Sequence, residues 1–168
     1  LVNLAIGRLE AGGLAAHQVA LTFAAGTFTV ALGLGAAAAV RVGHAVGAQD
    51  RERTRAAGFL ALGAGAIVLL VPMLVSWACP HALAALVTDR DEVLRASVPL
   101  LAVAALLQVP DGLQAVAAGA LRGAGETRFA LYANLGGHYG VSLPVGAWLA
   151  FGRGWGVAGL WWGLCLGL

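Results

Sequence analysis

Asp111 is the residue of this sequence whose type and position together ask for chemistry. It stands in a run, 96–121, with no other charged residue. Gln108 and Gln114 flank it at three-residue intervals, a spacing that places all three on one side of a helix. Pro110 precedes it, and a proline inside a helix frees the carbonyl four residues earlier, that of Leu106. A carboxylate beside an unpaired carbonyl is a site for a small cation or a proton. The competing reading is a buried, hydrogen-bonded acid that ties two helices together. Two further polar stripes accompany it. Gln18, Thr22 and Thr29 follow one another at spacings of four and then seven, and Asn134, His138 and Ser142 repeat every four residues. Three such faces can line one cavity. For the Thr and Ser hydroxyls, interhelical hydrogen bonds of ~0.6 kcal/mol each are the better reading, whereas Gln18 and His138 fit either. Asp111 is therefore the expected cation- or proton-coupling residue. Gln18, Gln108, Gln114, Asn134 and His138 are the expected cavity residues.

Other chemistries fall away. The ten basic residues are all Arg, so lysine-dependent phosphate binding and Schiff-base chemistry are excluded. No Ser–His–Asp pattern and no His-x-x-x-His occurs, so neither a catalytic residue nor a metal site is expected. Cys79 and Cys165 lie far apart and read as packed thiols. A net charge of +2 points to no nucleic-acid partner.

The elements that must carry these residues are membrane spans. The 168 residues are 60% hydrophobic and 11% charged, with mean hydropathy +0.86, where a soluble domain carries about 25% charge. A span needs about 20 apolar residues. Long charge-poor windows place spans at about 11–40, 56–80, 96–121 and 129–152, with a truncated one at 154–168. Leu1–Ile6 reads as the tail of another. Both ends fall inside apolar runs, and no signal-peptide pattern is present, so the expectation is part of a longer protein. An acid within about a turn of mid-span costs at least ~2.5–3.5 kcal/mol, and Asp111 should therefore face protein or water. Arg41, Arg51, Arg53 and Arg55, with Arg122 and Arg128, assign their connections to the cytoplasm; Arg8, Asp89–Arg95 and Arg153 fall on the poorer side. Trp77, Trp148 and Trp155 lie near the opposite, outer ends, as an interfacial belt would.

Glycine and proline set the packing. Gly43/Gly47, Gly119/Gly123, Gly136/Gly140, Gly152/Gly156 and Gly159/Gly163/Gly167 stand four apart, the spacing of close helix contacts. Pro72, Pro99, Pro110 and Pro144 predict bends within or beside spans. His17, His44 and His81 fall near span ends, and Asp50–Arg55 reads as a solvated helix start.

Four stretches, in order and across nearly the whole chain, resemble the multidrug and toxic compound extrusion (MATE) family: LAAHQVAL (14–21), VRVGHAVGA (40–48), DGLQAVAAGALRGAGETR (111–128) and GVAGLWWG (156–163). The resemblance implies an all-α polytopic bundle: about five spans of a six-helix lobe, residues 1–168 forming a partial C-terminal lobe. It implies a secondary antiporter that exports organic cations or drugs in exchange for H⁺ or Na⁺ by alternating access, with no other cofactor. The implied partners are a small organic cation, the coupling ion, the lipid bilayer and an N-terminal lobe of the same protein. The implied location is the cell membrane, as a multi-pass protein of a bacterial inner membrane. Asp111 matches the lobe's intramembrane acid, and Gln18 a drug-contacting position. The chain departs from the pattern at Leu107, often Tyr in sodium-coupled members, and at Arg90, which replaces an acid some members use. A glutamate that pairs with the acid in many members would precede Leu1. The nearest alternative is a lipid or lipid-linked-precursor flippase, which would call for a wide, strongly cationic cavity. An intramembrane enzyme using His138 or His17 is more remote.

Overall fold

A computed structural model describes residues 11–167, which leaves Leu1–Ile6, Arg8 and Leu168 outside the described residues. The described residues form an all-α bundle without strands. α1 spans Ala11–Gly47, α2 Arg51–Ala78, α3 Pro80–Ala85 and α4 Asp91–Gly123. α5 (Thr127–Leu135) then passes through a π-helical segment (Gly136–Ser142) into α6 (Leu143–Ala147) and a second π segment (Trp148–Gly152). α7 covers Gly156–Gly167. α1, α2 and α4 are each long and apolar enough to cross a membrane.

Charge marks where the apolar zone ends, but not where a helix ends. α1 has 37 residues, roughly 55 Å at 1.5 Å per residue, against a hydrocarbon core of about 30 Å. Arg41 and His44 therefore ride on its last turns, because arginine is a good helix former. The connection shrinks to Ala48–Asp50, where Gln49 adopts φ 55°. Asp50 then caps α2: its Oδ1 accepts from the Arg53 backbone N–H at 2.9 Å, and its Oδ2 pairs with Arg53 Nε at 3.1 Å. Prolines do not interrupt the long helices either. α2 runs through Pro72, and α4 through both Pro99 and Pro110. The window 129–152 is where regular α geometry fails instead, in two π segments.

α4 is the axis of the bundle. It runs parallel to α1, since Ala16, Val19 and Ala20 share a core cluster with Leu100, Leu101 and Ala104 while Gly43 meets Gly123. It runs antiparallel to α2, since Gly65 meets Val116, Leu69 meets Gly112 and Ser76 meets Gln108. The α1–α4 seam is built from small residues. A Cβ on Gly119 would overlap the backbone of Gly35, and one on Gly123 the backbone of Ala39. Gly159 and Gly163 bring α7 equally close to Ala150 and Gly146, and Gly167 meets Ser142 and Gly137. Not every four-spaced pair acts this way. Gly47, Gly136 and Gly140 have nothing within 4 Å, and Gly154 and Gly156 take φ 71° and 58° in the turn before α7. Gly35, outside the predicted pairs, lies at the tightest contact of the α1–α4 seam.

At the other end of α1, buried His17 accepts a hydrogen bond at Nδ1 from Trp161 Nε1 of α7 (3.2 Å), with the rings edge-to-face at 5.5 Å. The pairing directions place the arginine-bearing ends, 41–55 and 122–128, on one side of the bundle. Exposed Trp77, Trp148 and Trp155 lie toward the other side. There Arg153 stacks over the Trp148 ring at 5.6 Å.

Candidate functional site

The helix α4 presents Asp111, Ala115, Ala118 and Arg122 along one line, at offsets of four, seven and eleven residues. These are near-whole turns at about 100° per residue. The rod that begins with α5 answers with Thr127, Ala130, Asn134 and His138, at offsets of three, seven and eleven. Between them lies a cavity of ≈420 Å³, lined on the α1 side by Phe28 and Leu32. Half-buried Asp111 is its carboxylate; Arg122 and Thr127 lie at its arginine-rich end. Eleven residues of helix separate Asp111 from Arg122, roughly 16 Å along the axis.

Two polar groups of the cavity, Gln114 and Asn134, hold one another. Gln114 Nε2 donates to Asn134 Oδ1 at 2.6 Å, and Asn134 Nδ2 donates to the Ala130 carbonyl at 2.9 Å. His138 Nδ1 is buried with no hydrogen-bond partner among the described residues. His138 and Asn134 also line a second cavity of ≈420 Å³ with Leu131, Leu135, Tyr139 and Ser142. They therefore form the wall between the two spaces. The arrangement can hold a cation against one carboxylate, with amide and imidazole groups around it and apolar walls from α1.

Four of the expected residues meet here: Asp111, Gln114, Asn134 and His138. Gln108 and Gln18 do not line this cavity. A three-residue step falls about 60° short of a full turn, so Gln108 and Gln114 point to opposite sides of Asp111. Gln114 turns toward α5, and buried Gln108 turns toward α2, where its Nε2 reaches Ser76 Oγ at 3.5 Å. Gln18 is exposed on α1, in the stretch that packs beside the first half of α4. The expected α1 stripe satisfies itself: Thr22 donates to the Gln18 carbonyl and Thr29 to the Ala25 carbonyl. Ser142 leaves the Asn134–His138 line because four residues are less than one turn of a π segment; it faces the second cavity and Gly167. Sequence reasoning missed Arg122 and Thr127 as cavity residues. The signal was available in the eleven-residue offset between Asp111 and Arg122.

Comparison with known proteins places this chain among relatives. A family model described as MatE matches residues 1–148. Multidrug resistance protein NorM of Burkholderia vietnamiensis is 45% identical over 171 residues, covering 99% of this chain and 37% of that protein. The eukaryotic MATE transporter AtDTX14 superposes with a TM-score of 0.86 at 25% identity, over 92% of this chain and 34% of its own. A multidrug resistance MATE family transporter of the MOP superfamily, in an outward-facing conformation, superposes at 0.90 and 20% identity over 99% of this chain, a likeness of fold. The chain thus spans little more than a third of the length of the relatives it matches.

Proposed function

The chain belongs to the MatE family, and from that premise we propose that the whole protein is a secondary antiporter of a bacterial inner membrane. It exports small organic cations in exchange for H⁺ or Na⁺ by alternating access, and residues 1–168 form part of its C-terminal lobe, working against an N-terminal lobe. The observation that carries this reading is that Asp111 is the one carboxylate lining a cavity whose other ionisable side chains are His138 and, about three turns away, Arg122. One carboxylate can serve two cations only in turn. A proton or Na⁺ at Asp111 cancels the charge that holds an organic cation, so loading of the coupling ion releases the substrate. Gln114, Asn134 and His138 set the polar edge of the pocket, and Phe28 and Leu32 supply apolar surface for the body of the substrate. A flippase for pyrophosphate-linked lipids would need several cationic groups around the head group, and this cavity offers Arg122 at one end. The names of the relatives, multidrug resistance proteins, support the export reading.

The test uses the complete protein in cells lacking their own exporters. A fluorescent organic cation should leave the cells when either a pH gradient or a sodium gradient is imposed, and Asp111→Asn should lose that coupled efflux. Coupled efflux that survives in Asp111→Asn would remove Asp111 from the mechanism. No efflux under both gradients would count against the antiporter reading itself.

A further inference from the structure

A second concentration of charge lies where α1 leaves the apolar zone and α2 enters it. A cavity of ≈380 Å³ opens there between Arg41 and His44 of α1 and Arg53 of α2, floored by Ala45, Ala57 and Leu60. The tight turn at Ala48–Asp50 folds Arg53 back toward the last turns of α1. Arg53 is held by Asp50, the one ion pair found among the described residues; Arg41 has no carboxylate within ion-pair distance among them. Four arginines and two acids, Asp50 and Glu52, lie within 41–55, so this segment is net cationic, with Arg41 and Arg53 on the cavity itself. Immediately deeper along α2 the surface turns apolar, with Phe59 and Ile67 each 69% exposed and Leu60 65%. A cationic mouth above an apolar strip matches an amphiphile with an anionic head.

We propose that this cavity binds the phosphate head group of an anionic glycerophospholipid, whose acyl chains lie along Phe59, Leu60 and Ile67. Basic pockets between spans on the positively charged side select such head groups, and each cation near the surface is worth about fivefold in affinity. The site requires α1 and α2 to sit in a bilayer and does not depend on transport, so it stands or falls separately from the Asp111 mechanism.

Native mass spectrometry of the full-length protein, titrated with phosphatidylglycerol or with phosphatidylcholine of equal chain length, reads the site directly. At matched lipid concentration the wild type should retain one more phosphatidylglycerol than Arg41→Gln, with an affinity at that site about fivefold higher. Arg41→Lys should keep the lipid, and Arg53→Gln, which removes the opposite wall, should lose it as Arg41→Gln does. Millimolar inorganic phosphate should not displace the lipid. Equal retention of phosphatidylglycerol by wild type and both Gln variants would overturn the proposal. So would equal loss of phosphatidylcholine, or displacement by phosphate alone, which would mark a site for free anions.

Discussion

At the scale of single residues, the surroundings of Asp111 are set by where its neighbours turn. Gln114 and Gln108 have the same chemistry and the same separation from the acid, yet one faces the cavity and the other the α2 interface. Gln114→Ala should therefore weaken apparent affinity for an organic cation by about two- to tenfold, the worth of one neutral hydrogen bond. Gln108→Met, which fills similar volume, should leave that affinity unchanged. Transport KM values measured in membrane vesicles separate the two. Equal effects would mean that the two glutamines share one environment after all. The His17–Trp161 pair makes a different kind of prediction. Trp161→Phe keeps an aromatic ring but loses the pyrrole ring, and with it the donor to buried His17 Nδ1, and should cost at least about 1 kcal/mol from the hydrogen bond, with the vacated volume adding to it. Thermal unfolding of the full-length protein in detergent reads the loss, and transport by the folded fraction should be preserved.

At the scale of elements, the close approach of α1 and α4 positions the acid. Gly35 and Gly119 let the two backbones meet, and this fixes the second half of α4 against α1 while its Asp111 face stays open to α5. Gly119→Val should destabilise by more than about 1–3 kcal/mol, because the clash is with backbone that cannot move aside as a side chain would. Gly58→Ala, with nothing within 4 Å of the added methyl, should be neutral or gain up to ~1 kcal/mol of helix propensity. Melting temperatures and yields of folded protein test the contrast. The helices themselves were legible in the sequence because long charge-poor windows leave few alternatives. Two features were not. Spacing by four identifies glycines on one face but not which face meets a partner, so Gly35 was missed and Gly136 and Gly140 were overvalued. The π segments, which turn Ser142 out of line with Asn134 and His138, lie against α7 and leave no mark in hydrophobic periodicity.

At the scale of the whole molecule, the parallel course of α1 and α4 brings the turns at 48–50 and 124–126 to one side, and the turn at 153–155 to the other. By the positive-inside rule the first side is the expected cytoplasmic one. In a cysteine-free background, Gln49→Cys and Gly125→Cys should react with a membrane-impermeant maleimide only in inverted vesicles, and Gly154→Cys only in intact cells. Reaction of all three from one side would break the topology. The sequence also supports the site at this scale only in part: Asp111 could be singled out from the rarity of an acid in a span, but its cavity partners depend on the meeting of α4 with α5.

If one carboxylate serves both cations in turn, as proposed, the affinity of the purified full-length protein for an organic cation must respond to both pH and sodium concentration. In the wild type, affinity should fall as pH is lowered or as sodium is added, because a proton or Na⁺ neutralises Asp111; in Asp111→Asn it should be weak and flat against both. An Asp111→Asn protein that keeps the wild-type dependence on pH or sodium would overturn the shared-carboxylate mechanism.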